Sequence, residues 1–214
     1  MHDVPATLPA RLYLLAYDLR KRRHAPNMYF PYLIRAAALT DLLLSGHITE
    51  ESGKPRAVPG APPVADPVLA DLLTKIAESK PRSWQRWVYE DSRATVRAVR
   101  DRLEADRWIK LEVRRPLLVF RQTIVHVRDT RVVKRLAAQV STALSAPLSR
   151  VDDRDAALVV LAAAGNLKTV LPRDRRRAHK ARITALQERV GPAAPALRKV
   201  IQATQAVITS ASSG

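Results

Sequence analysis

Arg93, Arg97 and Arg100 stand at i, i+4 and i+7 in the run from Ser92 to Arg107. That spacing projects all three from one side of an α-helix. Val96, Val99 and Leu103 make an apolar stripe beside them that must face a core. Guanidinium groups held at the edge of a packed stripe are partly ordered before any ligand arrives. They are planar, fork-shaped donors suited to phosphate oxygens. A further arginine, Arg35, is embedded in an apolar run. There it needs a partner, either an acid such as Asp41 or a bound anion. The chemistry these residues suggest is anion binding.

No catalytic chemistry is legible. His2, His24, His47, His126 and His179 are scattered, and none has metal-ligand spacing. Neither a nucleophile elbow nor a phosphate-cradling glycine loop is present. Asp152, Asp153 and Asp155 precede an apolar run, where acids cap a helix more often than they catalyse. The expectation is a protein that is not an enzyme, with no catalytic residue, no metal and no cofactor.

Composition narrows the classes further. The net charge is +17 over 214 residues. Such a charge draws a protein toward nucleic acid, anionic lipid surfaces or acidic proteins. High-GC coding produces arginine freely too, so charge alone does not decide. Hydrophobic residues make up 47% and aromatics only 5%, which suits a core of packed aliphatic helices. Six glycines are too few for a turn-dense β architecture. Cysteine is absent, so disulfides and thiolate metal sites are excluded. No signal-peptide pattern opens the chain, and the longest apolar run, 156–165, is too short to span a bilayer. A cytoplasmic protein, at most peripheral on the inner face of a membrane, is expected.

The elements that would position the arginines follow from periodicity. Helices are expected at 9–19, 30–45, 67–78, 83–89, 92–107, 129–146, 153–165, 173–190 and 192–211. Gly46 is placed to stop the second, and Asp66 to cap the third, with Pro67 at its first position. Residues 20–27 read as a basic turn, and 50–67 as a loop after a short strand at 47–49. After Trp108 the period changes to two. Residues 108–113 and 117–120, joined by Arg114-Arg115-Pro116, read as a β-hairpin that 124–127 could extend. The fold class is mainly α: a single helical domain over 9–211 with one β-hairpin, a disordered N-terminus at 1–8 and a tail at 212–214. Trp84 and Trp87 read as core aromatics. The runs 21–23 and 173–180 read as solvated charge.

The order of these segments resembles the Golgi phosphoprotein 3 family, in its bacterial branch. Arg11-Leu12-Tyr13-Leu14-Leu15-Ala16-Tyr17-Asp18 is similar to the family's opening helix. Ile34 to Ile48 is similar to its helix ending in Leu-x-Gly-Arg-Ile. Pro63-Val64-Ala65-Asp66 stands where the family has Pro-Thr-Gly-Asp, and Trp87 matches a family tryptophan. Val96 to Leu103 matches its Val-Arg-x-Arg-Leu helix, and Asp153 to Leu158 its Asp-Arg-x-x-x-Leu helix. The resemblance covers nearly the whole chain. It implies a mostly helical domain that binds phosphatidylinositol 4-phosphate on membranes. It also implies headgroup residues at Arg35, Arg97 and Arg100, expected to converge in one basic pocket. Arg93, Tyr29 and Phe30 are additional candidates. The family's pocket tryptophan is replaced at its position by Pro26, with Tyr29 and Phe30 nearby.

Partner expectations follow. The hairpin residues Arg114, Arg115, Leu117 and Leu118 would contact either the membrane or a second subunit, the latter being what the family's hairpin does. A rival of a different class is a winged-helix nucleic-acid binder, with the 92–107 helix followed by a basic hairpin as its wing.

Overall fold

In the computed structural model, residues 4–114 and 122–211 are described, without the side chains of 114, 122 and 207–211. The architecture is mainly α. Ten α-helices occur among the described residues: α1 (Leu8–Leu15), α2 (Phe30–Leu44), α3 (Pro67–Glu78), α4 (Trp84–Tyr89), α5 (Ser92–Ala105), α6 (Thr130–Ser145), α7 (Asp153–Ala164), α8 (Arg173–Ala178), α9 (Lys180–Gln187) and α10 (Ala193–Ala211). Three antiparallel two-stranded ladders accompany them: β1 (Tyr17–Asp18) with β2 (Arg23–His24), β3 (Ile48–Glu51) with β4 (Lys54–Ala57), and β5 (Ile109–Arg114) with β6 (Gln122–Val127).

Two helices form the centre. In α2 every residue from Leu33 to Leu42 is buried, and in α7 so are Ala156 to Ala162. A helix apolar on all sides must be surrounded, and α2 packs on α1, α3, α4, α5, α7 and α10. Small residues permit the close approach. A Cβ added at Gly165, just past α7, would sit 2.8 Å from Leu33 Cδ1. The one acid of the α2 core, Asp41, is 1% exposed. Its carboxylate accepts the Leu8 N–H at 2.7 Å and pairs with Arg154 at 2.7 Å. It therefore ties α1, α2 and α7 together. Arg35 has another partner set, so the pairing of Arg35 with Asp41 weighed above does not form.

Helix ends follow local chemistry. Gly46, at φ +73°, closes α2 through His47 N–H to Leu42 O and Gly46 N–H to Leu43 O, a left-handed stop that suits glycine. Asp66 accepts the N–H groups of Val68 and Leu69 at the start of α3. Asp152 caps α7 through Asp155 N–H at 2.7 Å, so this acidic cluster is a cap.

The structure corrects several sequence expectations. Helix α1 stops at Leu15 rather than 19, because Asp18 Oδ1 takes the N–H groups of Arg20 and Lys21 and turns the chain back into β2. The one expected hairpin is joined by two shorter ladders. β3 and β4 are connected through Ser52 and Gly53, both at positive φ, inside what read as a loop. In the main hairpin Arg114 is still paired, opposite Gln122, and the described second strand is 122–127, which takes in the expected extension at 124–127, while 117–120 lies outside the described residues. The expected residues Arg115, Leu117 and Leu118 lie outside the described residues. The helix expected at 173–190 is two, meeting at His179. Within residues 4–7, expected to be disordered, Pro5 is buried and its carbonyl accepts Arg11 Nε at 2.7 Å.

Candidate anion-binding site

Helix α5 presents its arginines as the spacing requires. Ser92, Thr95, Val99 and Leu103 are buried against α2 and its neighbours, and Val96 is half-buried beside them. Arg93 and Arg97 are exposed and form no ion pair among the described residues. Arg100 is half-buried. Its Nε and Nη2 reach the Asp101 carboxylate at 2.8 and 2.7 Å.

Arg100 borders an aromatic cluster that sequence reasoning did not assemble. The Tyr13 ring meets His24 edge-on at 4.6 Å between centroids and lies 5.6 Å from Phe30. His24 also meets Tyr17 edge-on at 5.7 Å. Its Nε2 lies 3.1 Å from the Tyr13 carbonyl. Burial drives the Tyr13 phenol far above its usual range, against the pull of the nearby Arg100 charge. Burial also holds the His24 imidazole below its ordinary value. Phe30 thus packs against Tyr13 and His24. Tyr29 is half-buried, and its N–H donates to Asn27 Oδ1 at 2.9 Å. The exposed residues Arg20 to Arg23 sit on the turn between β1 and β2, next to this cluster. The only trace of the cluster in the sequence was six aromatic or imidazole rings in the first thirty residues, with nothing to say which would meet.

Arg35 lies elsewhere. It is 2% exposed. Its Nε donates to Trp87 O at 3.0 Å and its Nη1 to Thr95 Oγ1 at 3.1 Å. Its Cζ stands 5.9 Å from the centre of the Trp87 ring, a cation–π contact. Nη2 finds no acceptor among the described residues. Burial lowers the guanidinium pKa, while Asp91, Asp71 and Glu90 oppose the shift. The side chain lines a cavity of about 440 Å³ together with Asp71, Lys75, Asp91, Ala98 and Arg102. Lys75 bridges Asp71 and Asp91 there, at 3.0 and 3.4 Å.

Arg97 and Arg100 do not line that cavity. The reason is helical geometry. Thr95, which Arg35 touches, and Arg97 are two residues apart, which places them on nearly opposite sides of α5. The structure thus splits the expected trio, with Arg35 toward α3 and Arg93, Arg97 and Arg100 on another face. Arg35 pins the start of α5 against α2 and the end of α4.

The runs taken for solvated charge are also partly structural. Arg175 donates to Val170 O at 3.1 Å and to Ser141 Oγ at 2.7 Å. Arg176 donates to Ala163 O at 3.2 Å and also contacts Asn166. Arg173 and Arg177 remain exposed. Trp84 and Trp87, each 3% exposed, are core aromatics as expected. No group of metal-ligating side chains occurs among the described residues. None of the described helices is long and apolar enough to cross a membrane.

The chain is a mainly α domain built around the buried helices α2 and α7, with a cationic face on α5. Comparison with protein families gives that class a name. The family model described as Golgi phosphoprotein 3 (GPP34) matches residues 8–204, and the chain belongs to this family. Comparison with curated proteins returns no match.

Proposed function

We propose that the protein is a non-catalytic, peripheral membrane protein that binds anionic phospholipid headgroups of the phosphatidylinositol 4-phosphate type at the inner face of a membrane. The observation that carries this reading is the α5 face. Arg93 and Arg97 are exposed, with no ion-pair partner among the described residues, and lie beside Arg100, which Asp101 holds in place. A phosphomonoester would complete them with charge-assisted hydrogen bonds. Family membership supports the reading. Arg35 acts as a positioning residue, holding α5 rather than touching the headgroup. The β5–β6 hairpin supplies a second contact, with the membrane or with a second copy of the chain.

Co-sedimentation with phosphatidylcholine vesicles tests this. The vesicles carry either phosphatidylinositol 4-phosphate or phosphatidylserine at matched charge. The double variant Arg97→Gln, Arg100→Gln is compared with Arg173→Gln, Arg177→Gln at the same salt. Charge-assisted bonds are worth about 1.5–3 kcal/mol each, whereas a diffuse surface charge contributes about 1 kcal/mol. The α5 variant should therefore lose at least about fivefold more affinity, and only for the phosphoinositide. Equal losses would mean bulk electrostatics. No loss, with falling affinity for duplex DNA, would favour the nucleic-acid reading.

A further inference from the structure

A second cavity, separate from the α5 arginine face, lies where the N-terminal segment, the end of α5, the start of α6 and the base of the β5–β6 hairpin meet. Its volume is about 830 Å³, inside the usual range for a small-molecule site. Its floor is apolar: Ala10, Val99, Leu103 and Val132, all buried. Val4 and Trp108 supply apolar walls. The N-terminal wall is held in place, because Arg11 Nε binds Pro5 O at 2.7 Å and Arg154 Nη1 binds Ala6 O at 2.9 Å.

The rim is cationic and only partly neutralised. Three acids line it, and all three are engaged. Asp66 caps α3. Asp106 pairs with Arg102 at 2.9 Å. Asp129 caps α6 and pairs with Arg131 at 2.8 Å. Arg107 and Arg128 line the same cavity and form no ion pair among the described residues, although Arg128 Nε donates to Ile109 O at 3.1 Å. Arg107 also occupies an awkward backbone position. At φ +62° it is the left-handed residue closing α5, with Trp108 N–H bonded to Leu103 O and Arg107 N–H to Glu104 O. Glycine would fit that position without cost. Arg107 thus lines the cleft without an ion-pair partner among the described residues, at a backbone position better suited to glycine.

We propose that this cleft binds a single-chain anionic amphiphile. Its acyl chain lies against Val99, Leu103, Val132 and Trp108, and its carboxylate or phosphate is held by Arg107 and Arg128. The proposal is independent of the headgroup reading, since neither Arg97 nor Arg100 lines the cleft.

The test is titration of the intact protein with sodium laurate, read by calorimetry and by tryptophan emission, with dodecanol, acetate and octaglutamate as comparison probes. Laurate should bind one to one and perturb the emission, and Trp108→Phe should remove that signal. Dodecanol lacks the charge and acetate lacks the chain, so each should bind at least about tenfold more weakly. Arg107→Gly and Arg128→Gln should each weaken laurate by about tenfold. Arg107→Gly should do so while raising the melting temperature, which separates the lost contact from misfolding. The Arg97→Gln, Arg100→Gln variant should bind laurate normally. The proposal is overturned if laurate does not bind, if dodecanol binds as well as laurate, if octaglutamate binds in place of laurate, or if Arg107→Gly leaves laurate affinity unchanged.

Discussion

Replacing Asp41 should be among the most damaging single changes available to this fold. The carboxylate is 1% exposed and makes two bonds at 2.7 Å, one to the Leu8 N–H and one to Arg154. Asp41→Ala leaves the buried Leu8 donor without an acceptor, which costs about 1–3 kcal/mol. It also strips Arg154 of its counter-charge and opens a small void. Breaking one side of a buried ion pair costs about 3–5 kcal/mol. The Arg154 side chain is 39% exposed, so water recovers part of its loss, and the total should fall near 3 kcal/mol, the low end of that range. For a chain of this length that is about 6–12 °C in melting temperature. Asp41→Asn keeps the shape and an acceptor for Leu8, and should lose about half as much. Urea unfolding followed by circular dichroism measures both. Adding Arg154→Ala closes a double-mutant cycle, with a coupling of about 1–2 kcal/mol between the two sites. A loss below about 1 kcal/mol for Asp41→Ala, or no coupling, would show that α1, α2 and α7 are not held through this carboxylate.

Two further outcomes are expected. Burial holds the His24 imidazole below its ordinary value, so between that lowered value and the unfolded pKa near 6.5 the unfolded chain binds more protons. Stability should therefore decline as pH falls below about 6.5, with a slope of at most about 1.4 kcal/mol per pH unit, and the decline should shrink in His24→Phe, as pH-dependent urea midpoints would show. Gly165→Ala pushes a methyl to within 2.8 Å of Leu33 Cδ1. It should cost about 1–3 kcal/mol by overpacking, and Leu33→Val should recover part of it in the same denaturant assay.

The elements with strong local signals were readable from sequence. The α2 run with its Gly46 stop, the Asp66–Pro67 start of α3, the Asp152 cap and the change of period after Trp108 each carry their chemistry within a few residues. The ladders β1–β2 and β3–β4 escaped because two to four residues show no period, and because Pro55 argues against a strand. The pair Ser52-Gly53 was the one available sign of a hairpin turn. The arginine row on α5 was legible because i, i+4 and i+7 spacing is a property of one helix. Convergence with Arg35 was not, because it depends on which side of α5 faces α2. The contact with Thr95 and the burial of Ser92, Val99 and Leu103 show that. The cluster of Tyr13, His24 and Phe30 joins three separate elements, and the sequence held no register to link them.

Many of the arginines here end on peptide carbonyls instead of acids. Arg175 meets Val170 O, Arg182 meets Ala143 O, Arg176 meets Ala163 O, and Arg35 meets Trp87 O. A carbonyl satisfies a guanidinium without cancelling its charge. The same residues that staple the loops thus leave their positive field intact, and the chain holds +17 without the matching carboxylates that salt bridges would demand. Lysine cannot substitute, since an ammonium lacks the planar fork that spans neighbouring carbonyls. An all-lysine counterpart of equal charge would keep the attraction for anionic surfaces and lose the loops. Trimming the charge to make the surface neutral would unfasten the same connections. In this molecule the electrostatic reach and the architecture rest on the same side chains.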